Sequence, residues 1–186
     1  MTENKRSDPE LFEFVRSVRG GDLETSLARA RELFPRGGPS KYTLCLSHAT
    51  RMQENRRINL REKPEGAVFY EAPPSSGDNQ PQSFWCWPGL ELIGAGSGRI
   101  KKGIFYVVQS CCPEKVTLAG TCEILTLSAE KAVKCMRLSA CITYASCQGL
   151  SLDGVRLLDT DSPHFTWRHL YVGASRCTSS RTLQVW

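Results

Sequence analysis

Late in the chain, between two apolar runs, lies CITYASCQGLSLDGV, residues 141–155. A strand ending at Thr143, a small polar segment ASCQG and a second strand beginning at Val155 put Thr143, Ser146, Gln148 and Gly149 at the carboxyl end of a sheet, where α/β proteins bind ligands. The stretch fits equally well an ordinary strand-to-helix turn carrying a glycine. Twenty-two residues beyond Gly149, the segment LYVGASR places Tyr171, Ser175 and Arg176 after a helical pattern. An arginine in such a mouth can present its planar fork to phosphate oxygens, as arginine fingers do while charge builds on a γ-phosphate. Taken singly, an arginine at a helix end is a solvated side chain; the two segments together make the phosphate reading worth pursuing.

Other phosphate-binding signatures fail on their own residues. A P-loop needs G-x-x-x-x-G-K followed by Ser or Thr, so that backbone N–H groups, a lysine and a metal-bound hydroxyl share the phosphates. GRIKKGIF has Gly98 and Gly103 at the first spacing, but Ile104 and Phe105 take the lysine and hydroxyl positions. GAGSGR misses the dinucleotide fingerprint because Arg99 stands where the third glycine belongs, and it reads as a tight turn between strands. No zinc site is expected: Cys111 and Cys112 are adjacent, and Cys135, Cys141 and Cys147 recur every six residues rather than in close pairs. Trp85, Trp87, Phe105 and Tyr106 could stack on bases, but among apolar strand residues they read first as core.

The elements that must position these residues follow from periodicity. DPELFEFVRSVRGGDLETSLARARELFPRGGPS predicts a helical hairpin broken at Gly20 and Gly21, the second helix capped by Asp22, facing inward with Leu23, Leu27, Ala30 and Phe34, and ended by PRGGP. YTLCLSH predicts a strand; a helix follows, with Thr50 as its cap and Met52 and Ile58 facing inward. Its basic residues Arg51, Arg56 and Arg57, with Arg61 and Lys63, read as a solvated face. APPSSGDNQPQS is a loop or border. LELIGAG, KGIFYVVQS and VTLAGTCEILTLS predict short antiparallel strands, CMRLSACITY a buried strand, VRLLD and TLQVW two more, and TWRHLYVGASRC a helix capped by Thr166.

The chain has 186 residues, enough for one globular domain with a small insertion. Its net charge of +5 permits a polyanionic partner without requiring one. MTENKRSDPE is polar and no apolar signal region follows it, so the cysteines are expected reduced in an intracellular protein, nuclear or cytoplasmic. No apolar run is long enough to span a membrane.

TYASCQGLSLDGVRLLD followed by HLYVGASRCTSSRTLQV resembles motifs V and VI of superfamily-1 DNA helicases of the PIF and RecD-like group, usually written T-x-H-K-S-Q-G-x-T-x-x-x-V and L-Y-V-A-x-S-R. Thr143, Gln148, Gly149 and Val155 match the first, and Leu170, Tyr171, Val172, Ser175 and Arg176 the second. YTLCLSHATRMQENRRIN, ending at Asn59, looks like the motif IV strand and helix, and the β-rich middle is similar to the small barrel these helicases insert before motif V.

The resemblance implies an α/β, RecA-like second motor domain with a small β-barrel-like insertion. Its expected parts are residues 1–71, the N-terminal helices with the first strand and helix; 72–130, the insertion; and 131–186, carrying motifs V and VI. It implies Arg176 as the catalytic arginine directed at ATP, an ATP cleft of Gln148, Gly149, Tyr171, Ser175 and Arg176, and contacts to single-stranded DNA from Thr143 and Ser146. Motifs I to III are absent, so ATP and Mg2+ are expected only with a first RecA-like domain bearing the P-loop, in cis or in trans, and the chain alone is expected to be inactive. Where the family has His and Lys, this chain has Ala145 and Ser146, and Cys147 replaces Ser. Those losses favour the alternative, a degenerate, non-catalytic module on the helicase fold that binds nucleic acid or protein.

Overall fold

The computed structural model describes residues 7–35, 37, 40–74, 80–96, 99–121 and 123–186. In chain order its elements are α1 (Pro9–Val18), α2 (Leu23–Leu33), β1 (Tyr42–Cys45), α3 (His48–Glu62), β2 (Val68–Tyr70), β3 (Phe84–Cys86), β4 (Glu91–Gly94), β5 (Phe105–Cys112), β6 (Lys115–Ala119), β7 (Ile124–Ser128), α4 (Ala129–Cys135), β8 (Met136–Leu138), β9 (Cys141–Thr143), β10 (Val155–Leu157), α5 (Trp167–Ala174) and β11 (Leu183–Val185). The chain divides into two compact units, residues 1–51 with 141–186, and residues 52–140. The second unit is wider than the 72–130 expected for the insertion.

The first unit is an α/β layer. Its four strands are all parallel, in the order β11-β10-β1-β9. All four residues of β1 are buried, as in a sheet covered on both faces. The helical hairpin forms as the periodicity predicts. Asp8 caps α1 and Asp22 caps α2 through bonds from the N–H groups of Leu11 and Thr25. Leu11, Phe14 and Val18 bury one face of α1, Leu27 and Ala30 that of α2, while Leu23 is only half-buried. Phe14 meets Phe34 edge to face at 5.0 Å. Arg36, Gly38 and Pro39 of the stop signal lie outside the described residues. Asp8 also accepts bonds from Ser180 N–H and from the hydroxyls of Ser179 and Ser180, tying α1 to the last segment of the chain.

Two expectations near the unit boundary are corrected. The α3 cap is Ser47, whose Oγ accepts from Thr50 N–H at 3.0 Å, because the helix begins at His48 and Thr50 is therefore three residues inside. The buried stripe of α3 is polar: Arg51, Asn55 and Asn59, one helical turn apart, are 6%, 1% and 5% exposed, while Met52 and Ile58 are half-buried. Asn55 donates to Leu138 O at 3.3 Å, and Asn59 both donates to Trp85 O and accepts from Trp85 N–H at 2.9 Å. Arg51 thus leaves the solvated face on which its charge alone would put it; its Nε and Nη2 are buried with no hydrogen-bond partner among the described residues. Burial lowers its pKa.

The second unit holds an antiparallel sheet in the order β7-β6-β5-β4-β8 and a ribbon of β2 and β3. Alternation is clear where it was predicted: Tyr106 and Val108 of β5, Val116 and Leu118 of β6, and Leu125 and Leu127 of β7 point into one core with Phe84, Leu92 and Met136. Among the described residues β7 does not pair with β8, so the sheet is open rather than a closed barrel. CMRLSACITY is not one strand. It splits into β8 in this sheet and β9 in the parallel one, and Ser139 between them donates to Glu91 O and Glu91 Oε1 instead of continuing the ladder. The helix α4, capped by Ser128, was not expected. Tyr106 is core, whereas Trp85, Trp87 and Phe105 are half-buried. Ser97 and Gly98 of the GAGSGR turn and residues 75–79 of the APPSSGDNQPQS loop lie outside the described residues.

Candidate functional site

The candidate site lies at the carboxyl end of the parallel sheet, where β9 stops at Thr143 and the chain turns at once. Ser146 N–H and Cys147 N–H both donate to Thr143 O, at 2.9 and 3.0 Å, and Leu150 N–H to Cys147 O at 3.1 Å. Gly149 closes this turn at φ +88°, a left-handed conformation that L side chains rarely adopt. Ser146, Gln148 and Gly149 are exposed. Thr143 is not: it is 3% exposed, and its Oγ1 donates to Ser146 Oγ at 2.9 Å. The hydroxyl assigned to DNA is committed to the turn itself.

The arginine segment reaches the turn from the other side. Thr166 starts α5, as the sequence indicates, with His169 Nδ1 accepting from Thr166 N–H at 3.0 Å. The helix ends at Ala174. Leu152 N–H then donates to Arg176 O at 2.8 Å, and Leu152 and Cys177 form a parallel bridge. The Arg176 guanidinium donates from Nη2 to Ser175 Oγ at 3.0 Å and from Nη1 toward Leu150 O at 3.5 Å. Ser175 and Arg176 are thus joined to the chain just beyond Gly149; both are half-buried, as is Tyr171. Below them, burial pushes the Cys147 thiol up to about 12, and the nearby Arg176 charge only partly opposes it. A thiol held protonated is inert packing, not a nucleophile.

Sequence reasoning missed the residues that set this geometry. Tyr144 is 2% exposed, donates to Leu158 O at 2.9 Å and packs edge to face on Phe165 at 5.6 Å. Gly173 lets α5 approach the sheet: a Cβ there would lie 2.6 Å from Leu157 Cδ2 and 3.0 Å from Tyr144 Cε1. It stands where the helicase pattern has alanine, a departure that could have been read as a close contact. Asp159, at φ +61°, accepts from Leu46 N–H at 2.8 Å and so fixes the turn between β1 and α3 from the end of β10. Tyr144 and Asp159 carry no such signal, because each acts through contacts distant in sequence. Among the described residues no group of three or more His, Cys, Asp or Glu could hold a metal ion.

No family model matches the chain, nor does the sequence of any curated protein. Solved structures do. The Pif1 helicase from Bacteroides in complex with ADP-AlF3 and ssDNA matches all of this chain with 50% of its own, at a TM-score of 0.67 and 15% identity. The chain has the fold of one half of a Pif1 helicase. The structure of DNA unwinding at forked dsDNA by two coordinating Pif1 helicases superposes at 0.70 with 16% identity over 98% of this chain and 48% of that one. Pif1 helicase from Candida albicans superposes at 0.64 with 14% identity over 96% and 53%. At such identities the likeness is one of fold, the RecA-like α/β arrangement of superfamily-1 Pif1 helicases. The chain spans about half the length of the Pif1 helicases it matches. No helix among the described residues is long and apolar enough to cross a membrane.

Proposed function

We propose that this chain is the second motor half of an ATP-driven DNA helicase and works with a first RecA-like domain that carries the P-loop. The observation that carries the reading is the junction of the Gln148–Gly149 turn with Arg176 at the carboxyl end of a sheet whose fold is that of half of a Pif1 helicase. In this reading ATP is gripped by the partner domain, which also holds Mg2+. This chain closes the cleft from the other side with Gln148, Gly149, Tyr171 and Ser175, and directs Arg176 at the γ-phosphate. Ser175 keeps the guanidinium from rotating freely, so little ordering is left to do when phosphoryl charge develops. Leu150 and Leu152 join the arginine to the Thr143 turn, so a shift at the phosphate would be felt at the surface of Ser146, where single-stranded DNA is proposed to pass. This is a coupling through one hydrogen-bonded connection.

The test is complementation. Mixed with a P-loop domain of a Pif1-type helicase, the chain should restore ATP hydrolysis stimulated by single-stranded DNA. Arg176→Ala should lower kcat about 1000-fold while leaving DNA binding within about twofold. A folded chain that restores nothing, or an Arg176→Ala variant as active as the wild type, would overturn the reading.

One observation favours a second reading, a non-catalytic module on the same fold. Thr143 and Ser146 bond to each other, and Ala145 and Cys147 offer no polar group to a phosphate. If the complemented particle hydrolyses no ATP yet still holds single-stranded DNA, this reading prevails.

A further inference from the structure

Away from the arginine, the second unit carries a cleft of about 1090 Å³ between α3 and the β2–β3 ribbon. Gln53, Arg56, Arg57 and Leu60, spaced three and four residues apart, turn one exposed stripe of α3 toward it. We propose that this cleft docks an acidic amphipathic helix of a partner protein, which sets apolar side chains against Leu60 and Phe69 and carboxylates against Arg56.

The apolar and the charged parts of the walls both lack a partner of their own. Leu60 is 50% and Phe69 48% exposed although each lines a concave wall, so an apolar side chain entering the cleft removes both from water. Arg56 makes no ion pair among the described residues, unlike its neighbour Arg57, which is held by Glu54 at 2.8 Å. No carboxylate occurs among the described lining residues. The charge of Arg56 is therefore left for an anion brought from outside, and one placed beside apolar anchors is what an acidic amphipathic segment carries.

The backbone around the cleft decides the form of the occupant. Met52 O accepts from Gln82 Nε2 at 2.7 Å, Ala72 N–H donates to Ser83 Oγ at 2.9 Å, and Asn59 holds both the N–H and the carbonyl of Trp85. Pro73, Pro74 and Pro81 bring no N–H at all. An extended peptide would give up its bonds to water and find few replacements there. A helix arrives with its backbone bonds made and needs only side-chain contacts. The bonds that occupy the backbone also fix the walls, so little ordering is left to do on docking. Flat-faced ligands are served less well, because Lys63 Nζ already covers the Trp85 ring at 3.9 Å from its centroid.

The test is fluorescence anisotropy on the full chain across a salt series. The probes are a labelled peptide of about 14 residues carrying leucine and phenylalanine at helical spacing among glutamates, a scrambled peptide of the same composition, and unlabelled oligothymidylate as competitor. The patterned peptide should bind about 10-fold tighter than the scrambled one. Leu60→Ala and Phe69→Ala, both at exposed positions, should each weaken it about 10-fold, and Arg56→Glu should weaken it and flatten its salt dependence. Equal affinity for the scrambled peptide, variants that bind like the wild type while keeping its circular dichroism, displacement by oligothymidylate, or no binding at low salt would each overturn the proposal. Because neither Arg176 nor the Thr143 turn lines this cleft, failure of complementation leaves this result unaffected.

Discussion

Gly173 and Tyr144 illustrate how a single methyl group could disturb the candidate site. Alanine at 173 would gain about 1 kcal/mol of helix propensity. The added Cβ, however, would press on Leu157 and Tyr144, which are 0% and 2% exposed and have nowhere to retreat. Overpacking of a closed contact costs about 1–3 kcal/mol, so the loss should win and the urea midpoint of Gly173→Ala should fall. A midpoint that rises would mean that α5 can lift off the sheet. His169 makes a second prediction at this scale. Its Nδ1 accepts the Thr166 N–H, a role open only to the unprotonated nitrogen, and burial lowers its pKa. Folding therefore favours the neutral ring: stability from this group is present above about pH 6.5 and is lost as pH falls through the lowered folded value. His169→Gln keeps an acceptor at the capping-box position without the titration. The variant should lose less stability than the wild type between about pH 6.5 and 5, measured by urea denaturation across that range.

At the scale of elements, α3 holds its sheets by hydrogen bonds rather than by grease. Asn59→Ala would remove the partners of the half-buried N–H and C=O of Trp85 and should cost about 2 kcal/mol by chemical denaturation. An unchanged midpoint would mean that water replaces the amide. This helix also shows where the sequence stops being readable. Strands β5, β6 and β7 could be found because their alternation records burial directly. Asp22 and Thr166 could be found because they act next to the helices they start. The inward face of α3 could not be found, because Asn55 and Asn59 are buried only by virtue of the strand backbones that they satisfy. For the same reason Thr143, Gln148, Gly149 and Arg176 could be picked out as a pattern of residue types. That Thr143 spends its hydroxyl on Ser146 depends on the turn, which residue types do not report. CMRLSACITY was unreadable in another way: one apolar run serves two sheets.

For the whole molecule the decisive fact is that the first unit is discontinuous, with β1 lying between β9 and β10 although a full second unit separates them in the chain. Residues 52–140 contain their own core and mostly neighbouring strand pairs. The parallel sheet instead requires closure of a long loop before its first ladder bond forms. Pulsed hydrogen exchange during refolding should therefore protect amides of β5, β6 and β7 before those of β1 and β10; the reverse order would mean that the parallel sheet nucleates the fold. The same arrangement gives the molecule an unusual relation to its own covalent continuity. With β1 bonded on one side to β9 and on the other to β10, severing the backbone somewhere in 52–140 would not release the leading segment, because it is interleaved with the trailing one. Two separately made polypeptides, meeting in solution, would have a ready means of reassembling the sheet that carries Arg176.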